Sequence, residues 1–177
     1  RNKSISFEIT SDKKSEILKQ SLKISSWSNN ISVKIPFTNS KGVENIDIIS
    51  KLANEQIKIN VTSIFTYDQV KRLVKKLKRN SNVILSIFAG RIADTGIDPK
   101  PMILKSVKLV SSFPKVQVLW ASCRELYSIF EAEKCKCHII TVPYSILDKL
   151  KLVDKSLKKY SIETSKEFFH DSKKIIW

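Results

Sequence analysis

Six segments of the chain carry apolar residues in the pattern of β-strands, and the segments between them carry the pattern of helices. The strand-like segments are residues 4–10, 31–37, 57–65, 83–88, 116–123 and 138–142. Between them apolar residues recur at helical spacing, and a last helix is predicted at about residues 155–174. Strands that alternate with helices, without hairpin signals such as Asn-Gly, predict βαβ units and a parallel sheet. The predicted fold class is α/β, and Ser11-Asp12 is the predicted N-cap of the first helix.

Polar positions recur at a fixed interval in the first four predicted strands. Glu8, Lys34, Asn60 and Ser86 are each 26 residues apart, which is the length of one strand–helix unit. Parallel strands covered on both faces are apolar throughout, whereas here each of these four strands has a polar residue on the face opposite its apolar residues. We therefore predict a (β/α) barrel, with helices on its outer face and polar side chains inside. The alternative, a doubly wound open sheet, lacks support because no glycine-rich phosphate turn follows the first strand.

Length and composition predict a single domain over residues 1–177. The chain is 42% hydrophobic, and a chain of this length can bury a substantial core. No apolar run approaches the roughly 18 residues that cross a membrane, and the first residues lack the pattern of a secretory signal. We expect a cytoplasmic protein with no membrane partner.

The formal net charge of +15 comes from 32 scattered basic residues, mostly at polar positions of the predicted helices. Such a charge is compatible with nucleic-acid binding. However, no aromatic-interleaved RNA motif and no zinc-finger spacing accompanies it. The pattern favours a solvated lysine-rich surface, with nucleic-acid binding as the alternative.

The three cysteines indicate free thiols. An odd number does not fit a complete disulfide framework, and Cys135-Lys136-Cys137-His138 supplies only part of the ligand set of a tetrahedral metal site. We expect no metal and no other cofactor.

Lys34 is the first candidate for chemistry, because it lies in the middle of a predicted strand. Burial of an ammonium ion is costly, so either Lys34 forms a structural ion pair with Glu8, or its amine is uncharged often enough to attack a carbonyl group and form a Schiff base. Lys58 shares a strand face with Asn60 but lies near the beginning of its strand. Active sites of barrels gather at the opposite, C-terminal end, which makes Lys58 the weaker candidate.

Five motifs, in order along the chain, resemble those of the transaldolase family, which includes small transaldolases and fructose-6-phosphate aldolase-like class I aldolases. They are SFE at residues 6–8, SVKIPFT at 32–38, NVTSIF at 60–65 followed by Gln69, SIFAGRIAD at 86–94, and WASCR at 120–124. Ile87 replaces the family's usual proline. The motifs extend over most of the chain, and their shared order makes the resemblance specific.

The resemblance implies a (β/α)8 TIM barrel that lacks its first two β/α units in this chain. Those units carry an aspartate and an asparagine in the family, and two units of roughly 30 residues account for the difference from a barrel of ~250 residues. We expect residues 1–177 to be strands three to eight and the C-terminal helix of a protein truncated at its N-terminus.

The resemblance also implies the roles of nine residues. Lys34 would form a Schiff base with a phosphorylated ketose, and Glu8 would act as general acid and base through a water molecule held by Thr62. Asn60 and Ser86 would bind sugar hydroxyls or Lys34, and Phe88 would line the pocket. Arg91, Ser122 and Arg124 would hold the distal phosphate, which suits the fork of arginine. The partners would be a phosphorylated ketose and a phosphorylated aldose.

Three interpretations stay open. Transfer of a dihydroxyacetone unit is favoured because Glu8 and Phe88 resemble transaldolases, whereas the related aldolases often have glutamine and tyrosine at these positions. The alternatives are a sugar-phosphate lyase with the same chemistry and a non-catalytic barrel. The apolar C-terminal end, with Phe168, Phe169, Ile175, Ile176 and Trp177, is expected either to pack between subunits of a homo-oligomer or to cover the mouth of its own barrel.

Overall fold

The computed structural model describes residues 3–174, and these divide after Pro143 into two compact units. The single domain predicted for residues 1–177 stays a prediction. Among the helices described between residues 3 and 174, none combines the length and the hydrophobicity of a membrane span.

The first unit contains a six-stranded, fully parallel sheet. Its strands are β1 (Ile5–Glu8), β2 (Ile31–Pro36), β3 (Ile59–Ile64), β4 (Val83–Ile87), β5 (Val116–Trp120) and β6 (Ile139–Ile140). They pair in the order in which they occur along the chain. All six predicted strands are confirmed, each within its predicted range. A doubly wound sheet would reverse its strand order at a switch point, and this sheet does not.

Six helices connect or follow these strands. They are α1 (Lys14–Ser25), α2 (Ile46–Asn54), α3 (Tyr67–Lys76), α4 (Ala89–Ala93), α5 (Lys100–Val110) and α6 (Tyr127–Lys134). The predicted N-cap of α1 is wrong: Lys13 occupies that position and makes no side-chain capping bond. The Ser11 hydroxyl instead accepts a hydrogen bond from the Lys13 N–H (3.2 Å), and Asp12 accepts one from the Ser40 N–H (3.2 Å).

The helices pack against only one face of the sheet. Val33, Val61 and Leu85 point to this face and share one buried cluster with the apolar side chains of α1, α2, α3 and α5. The opposite face carries a separate and smaller apolar cluster, to which none of these six helices contributes: Ile84, Leu119 and Ala121, with Phe88 and Ile139 packed against them. The predicted division into an apolar outer face and a mostly polar inner face is therefore confirmed for the described strands.

The second unit is helical. It contains α7 (Tyr144–Leu147), a 3-10 helix (Asp148–Leu152) and α8 (Leu157–Ser172), and α8 confirms the last predicted helix. The Ser156 hydroxyl caps α8 by accepting a hydrogen bond from the Lys159 N–H. No residue of α8 is buried, and Phe168 and Phe169 are exposed. Residues 175–177 of the apolar C-terminal end lie outside the described residues.

A close backbone approach holds α4 against the segment that follows β5. The Gly90 N–H donates a hydrogen bond to the Ala121 carbonyl (3.2 Å). A Cβ atom on Gly90 would lie 1.6 Å from the carbonyl oxygen of Ser122 and 3.1 Å from Cγ of Arg124. Only glycine fits at this position, because the nearest obstruction is backbone and cannot rotate away.

Replacement of Gly90 by alanine should therefore destabilise the fold. We expect Gly90→Ala to lower the free energy of unfolding by at least about 2 kcal/mol, since the methyl group forces two backbone segments apart. Gly42→Ala is the control, because a methyl group at that open site meets no other atom. Its φ of +78° makes the backbone conformation unfavourable for alanine by about 1 kcal/mol, so this variant measures backbone strain alone. Urea unfolding of both variants measures the difference. Equal losses would show that the 90–122 approach is not tight.

Candidate active site

Three polar side chains stand level with one another on the inner face of the sheet. The register pairs Glu8 of β1 with Lys34 of β2, and Lys34 with Asn60 of β3. The Lys34 Nζ lies 3.4 Å from the Glu8 Oε2. An amine, a carboxylate and an amide are thus brought together by β-sheet pairing from positions 26 residues apart.

The Lys34–Glu8 pair is less buried than the sequence predicts for a lysine inside a barrel. The side chains are 32% and 49% exposed, because β1 is an edge strand of the described sheet and has no neighbour on its far side. An ion pair with this much exposure contributes only about 0–1 kcal/mol to stability. The contact therefore does more to position the amine than to stabilise the fold.

Asn60 is the centre of a chain of hydrogen bonds that links β4, β3 and β1. The buried Ser86 hydroxyl donates to the Asn60 Oδ1 (2.6 Å), and the Asn60 Nδ2 donates to the Ser6 hydroxyl (3.1 Å). These bonds hold the Asn60 amide in one orientation beside Lys34. Ser6 was missed as a candidate, because only its place two residues before Glu8, on the same strand face, marks it in the sequence.

An extra residue in β3 changes the register beyond Asn60. Val61 pairs with Leu85 but Ile64 pairs with Ile87, and Ser63 between them has a left-handed φ of 56°, as in a β-bulge.

Asn60 is level with Ile84, so Ser86 lies two residues further toward the C-terminal end of β4. The 26-residue interval therefore gives a level row for three of the four polar positions.

Thr62 lies one step beyond Asn60 on the inner face, level with Pro36. Its hydroxyl is buried and has no hydrogen-bond partner among the described residues. Burial without a partner is costly for a hydroxyl, which makes Thr62 a candidate for binding a small polar molecule.

Phe88 forms an aromatic wall at the end of β4. Its ring packs against Phe65 with centroids 5.5 Å apart. The Arg91 guanidinium lies over the same ring, 5.4 Å from the centroid, in a cation–π contact. Phe88 therefore helps to fix the position of Arg91.

Ser122 and Arg124 lie beyond the C-terminal end of β5, next to α4. Ser122 has a left-handed φ of 63°, and its carbonyl contacts Gly90. Arg124 donates hydrogen bonds from Nη2 (2.6 Å) and Nε (3.1 Å) to one carboxylate oxygen of Asp94. The close approach at Gly90 brings the segments of Arg91 and Arg124 together.

Lys58 lies at the other end of the sheet. It precedes β3, and its Nζ donates a hydrogen bond to the Asn29 carbonyl. This places it at the N-terminal edge of the strands, away from the end that carries Phe88 and Ser122.

Cys135 and Cys137, which lie just before β6, are structural rather than reactive thiols. Burial raises the pKa of Cys137 to about 11 and also raises the pKa of Cys135, so both thiols stay protonated near neutral pH. The His138 Nδ1 accepts a hydrogen bond from the Val118 N–H (3.1 Å), which joins β5 to β6. Between residues 3 and 174 no three His, Cys, Asp or Glu side chains are grouped so that they could hold a metal ion.

Known proteins resemble this chain along most of its length. A family profile described as "Transaldolase/Fructose-6-phosphate aldolase" matches residues 1–176. A "Probable transaldolase" of Dehalococcoides mccartyi is 35% identical over 144 residues, 81% of this chain and 63% of that protein. A "Probable transaldolase" of Thermoanaerobacter sp. is 31% identical over 164 residues, 92% of this chain and 71% of that protein.

A solved structure described as "Native KDPGal structure" aligns with a TM-score of 0.30 and 11% identity, over 78% of this chain and 80% of that chain. That likeness is too low to inform the fold. The chain spans about two thirds of the length of the two transaldolase relatives. With its profile match over residues 1–176, the chain belongs to the transaldolase/fructose-6-phosphate aldolase family.

Proposed function

We propose that the protein transfers a dihydroxyacetone unit between phosphorylated sugars through a Schiff base on Lys34. The observation that carries this proposal is the position of the Lys34 amine, which lies on the inner face of the sheet, 3.4 Å from the Glu8 carboxylate and level with Asn60. Family membership supports an aldolase or transferase activity on sugar phosphates. The six strands are consecutive strands of a (β/α)8 barrel in this proposal, a fold whose active sites lie at the C-terminal ends of the strands.

The reaction begins with attack of the uncharged Lys34 amine on C2 of a ketose phosphate. Loss of water from the carbinolamine gives an iminium ion, which withdraws electrons from the C3–C4 bond. When that bond breaks, the proton of the C4 hydroxyl leaves, an aldose phosphate is released and a three-carbon enamine stays on Lys34. Addition of the enamine to the aldehyde of a second aldose phosphate, followed by hydrolysis, completes the transfer.

Glu8 is the proposed proton carrier. Its carboxylate is already within hydrogen-bond distance of the amine, so it can accept a proton from Lys34 before the first attack. In the later steps it exchanges protons through a water molecule held by the Thr62 hydroxyl, which has no other partner among the described residues. General acid–base catalysis of this kind contributes typically 10²–10⁴-fold.

The remaining residues are proposed to bind the sugar phosphate. Asn60 and Ser86 present an ordered amide and hydroxyl to the sugar hydroxyls. Arg91, Ser122 and Arg124 hold the phosphate at the far end, where arginine offers paired N–H donors. Phe88 lies between the residues that bind the sugar hydroxyls and those that bind the phosphate, and it excludes water from the reacting carbons.

A lyase of the same chemistry is the second candidate function, because the family description includes both activities. The two differ in the fate of the enamine, which is either protonated to free dihydroxyacetone or captured by an aldose phosphate. Glu8 and Phe88 favour transfer, because they match the transaldolase motifs rather than those of the aldolases.

Chemical trapping tests the Schiff base directly. We expect incubation with fructose 6-phosphate and sodium borohydride to give a stable adduct on the peptide that contains residue 34, because the reductant converts the iminium into a secondary amine. Lys34→Met should abolish the adduct. Lys58→Met, which removes the lysine just before the next strand, should keep it. An adduct that survives Lys34→Met would refute the role of Lys34, and no adduct in any variant would favour a non-catalytic barrel.

The role of Glu8 predicts a loss of rate with little loss of binding. We expect Glu8→Gln to lower the rate of adduct formation about 100-fold, because the amide cannot take up a proton, and to change the KM for fructose 6-phosphate little. Glu55→Gln, on the exposed surface after α2, should behave like the unchanged protein. A rate within about 3-fold of the unchanged protein in Glu8→Gln would exclude Glu8 as the proton carrier.

Assays with and without an acceptor separate transfer from cleavage. We expect release of glyceraldehyde 3-phosphate beyond one equivalent per active site to require erythrose 4-phosphate, because the enamine stays on Lys34 until an aldehyde captures it. Coupled enzymatic measurement of both products checks this. Equal turnover without acceptor, with release of free dihydroxyacetone, would favour the lyase.

A further inference from the structure

We infer that Asp94 is a positioning residue of the phosphate site: it holds one edge of the Arg124 guanidinium so that the other edge faces the substrate phosphate. This inference rests on the proposed function, since it needs a phosphate at Arg124. Asp94 belongs to the same motif as Ser86 and Arg91, yet the proposed reaction gives it no direct contact with the sugar.

The hydrogen bonds to Asp94 use only part of the guanidinium. The single oxygen Oδ2 accepts from Nε at 3.1 Å and from Nη2 at 2.6 Å. A guanidinium has five N–H donors in a fixed plane, so one N–H on Nη2 and both on Nη1 are left. These form the edge that binds a phosphate with two parallel hydrogen bonds.

The side chain of Arg124 is held at two points along its length. Its Cγ lies 3.1 Å from the place of a Cβ on Gly90, and its guanidinium lies on Asp94. Gly90 and Asp94 are four residues apart and therefore on one side of α4, so Arg124 extends along that side. A side chain ordered in this way loses little freedom when a phosphate binds.

Arg91 is positioned by an aromatic ring and not by a carboxylate. Its guanidinium lies over the Phe88 ring at 5.4 Å, and it forms no ion pair among the described residues. Asp94 therefore leaves the two arginines with one uncompensated positive charge, which suits a phosphate that must bind and also leave.

Loss of Asp94 has two opposite effects on the affinity for phosphate, one through charge and one through the order of the Arg124 side chain. Removal of the negative charge strengthens attraction for phosphate, but the pair is about half exposed, at 51% for each side chain, and water limits that gain to about 2–5-fold. Loss of order in a long arginine side chain costs up to about 30-fold. We expect order to dominate and phosphate affinity to fall about 5- to 10-fold.

The test compares Asp94→Ala, Asp94→Asn and Arg124→Gln with the unchanged chain, using calorimetric titration with fructose 6-phosphate and with inorganic phosphate. We expect weaker binding of both in Asp94→Ala and a smaller loss in Asp94→Asn, whose amide oxygen still accepts from the Arg124 Nε. Trapping of unphosphorylated dihydroxyacetone on Lys34 is the reference readout, and every variant should change it less than the binding of fructose 6-phosphate, because dihydroxyacetone has no phosphate. A purely structural role would not separate phosphorylated from unphosphorylated ligands.

Asp68→Ala is the matched control, because Asp68 accepts a hydrogen bond from the Nε of Arg72 (2.6 Å) on α3 and should leave both ligands unaffected. If Arg124→Gln weakens phosphate binding but Asp94→Ala leaves it unchanged or tighter, Asp94 has no positioning role and the phosphate site stands. If the unchanged chain binds neither phosphate, or if Arg124→Gln has no effect, the phosphate site of the proposed function is refuted and this inference with it.

Discussion

The arrangement of the site depends on one constraint: parallel strands whose helices pack on a single side leave the other side free for polar groups. Side chains alternate between the two faces of a strand, so each residue type is assigned to the core or to the site by its position alone. Val33 and Ile35 enter the helix-covered core, and Lys34 between them faces the opposite way. Placing a lysine there costs the core nothing.

Hydrophobic alternation was sufficient to predict the strands and the two faces, but local detail was less predictable. Helix α5, for example, has apolar residues on more than one side: Ile103 and Val110 are buried, whereas Leu104 is exposed. The N-cap of α1 was predicted at Ser11-Asp12 from residue type. Asp12 instead accepts a hydrogen bond from Ser40, 28 residues away, and such a competitor is not visible in the local sequence.

In the candidate site, too, the sequence predicted which face a residue lies on but not which side chains it contacts. The alternation of polar and apolar residues placed Lys34, Glu8 and Asn60 on one face, and sheet register makes them neighbours. The degree of burial of Lys34 depends on which strands flank it and could not be predicted from its own segment. The partnership of Asp94 with Arg124 was equally hidden, since it depends on how closely α4 approaches the chain after β5 at Gly90.

The irregularity at Ser63 determines which surface an aromatic ring occupies. Val61 and Ile64 both belong to the helix-covered core, although an even number of steps normally separates residues on one side of a strand. The additional residue inverts the alternation, so Phe65 is directed to the side where its ring packs at a tilt against Phe88. In an uninterrupted strand, Ile64 would point toward the inner face and Phe65 would compete for space beneath the helices. A single inserted position thus decides whether the inner face at this level carries a phenyl ring or a branched aliphatic chain.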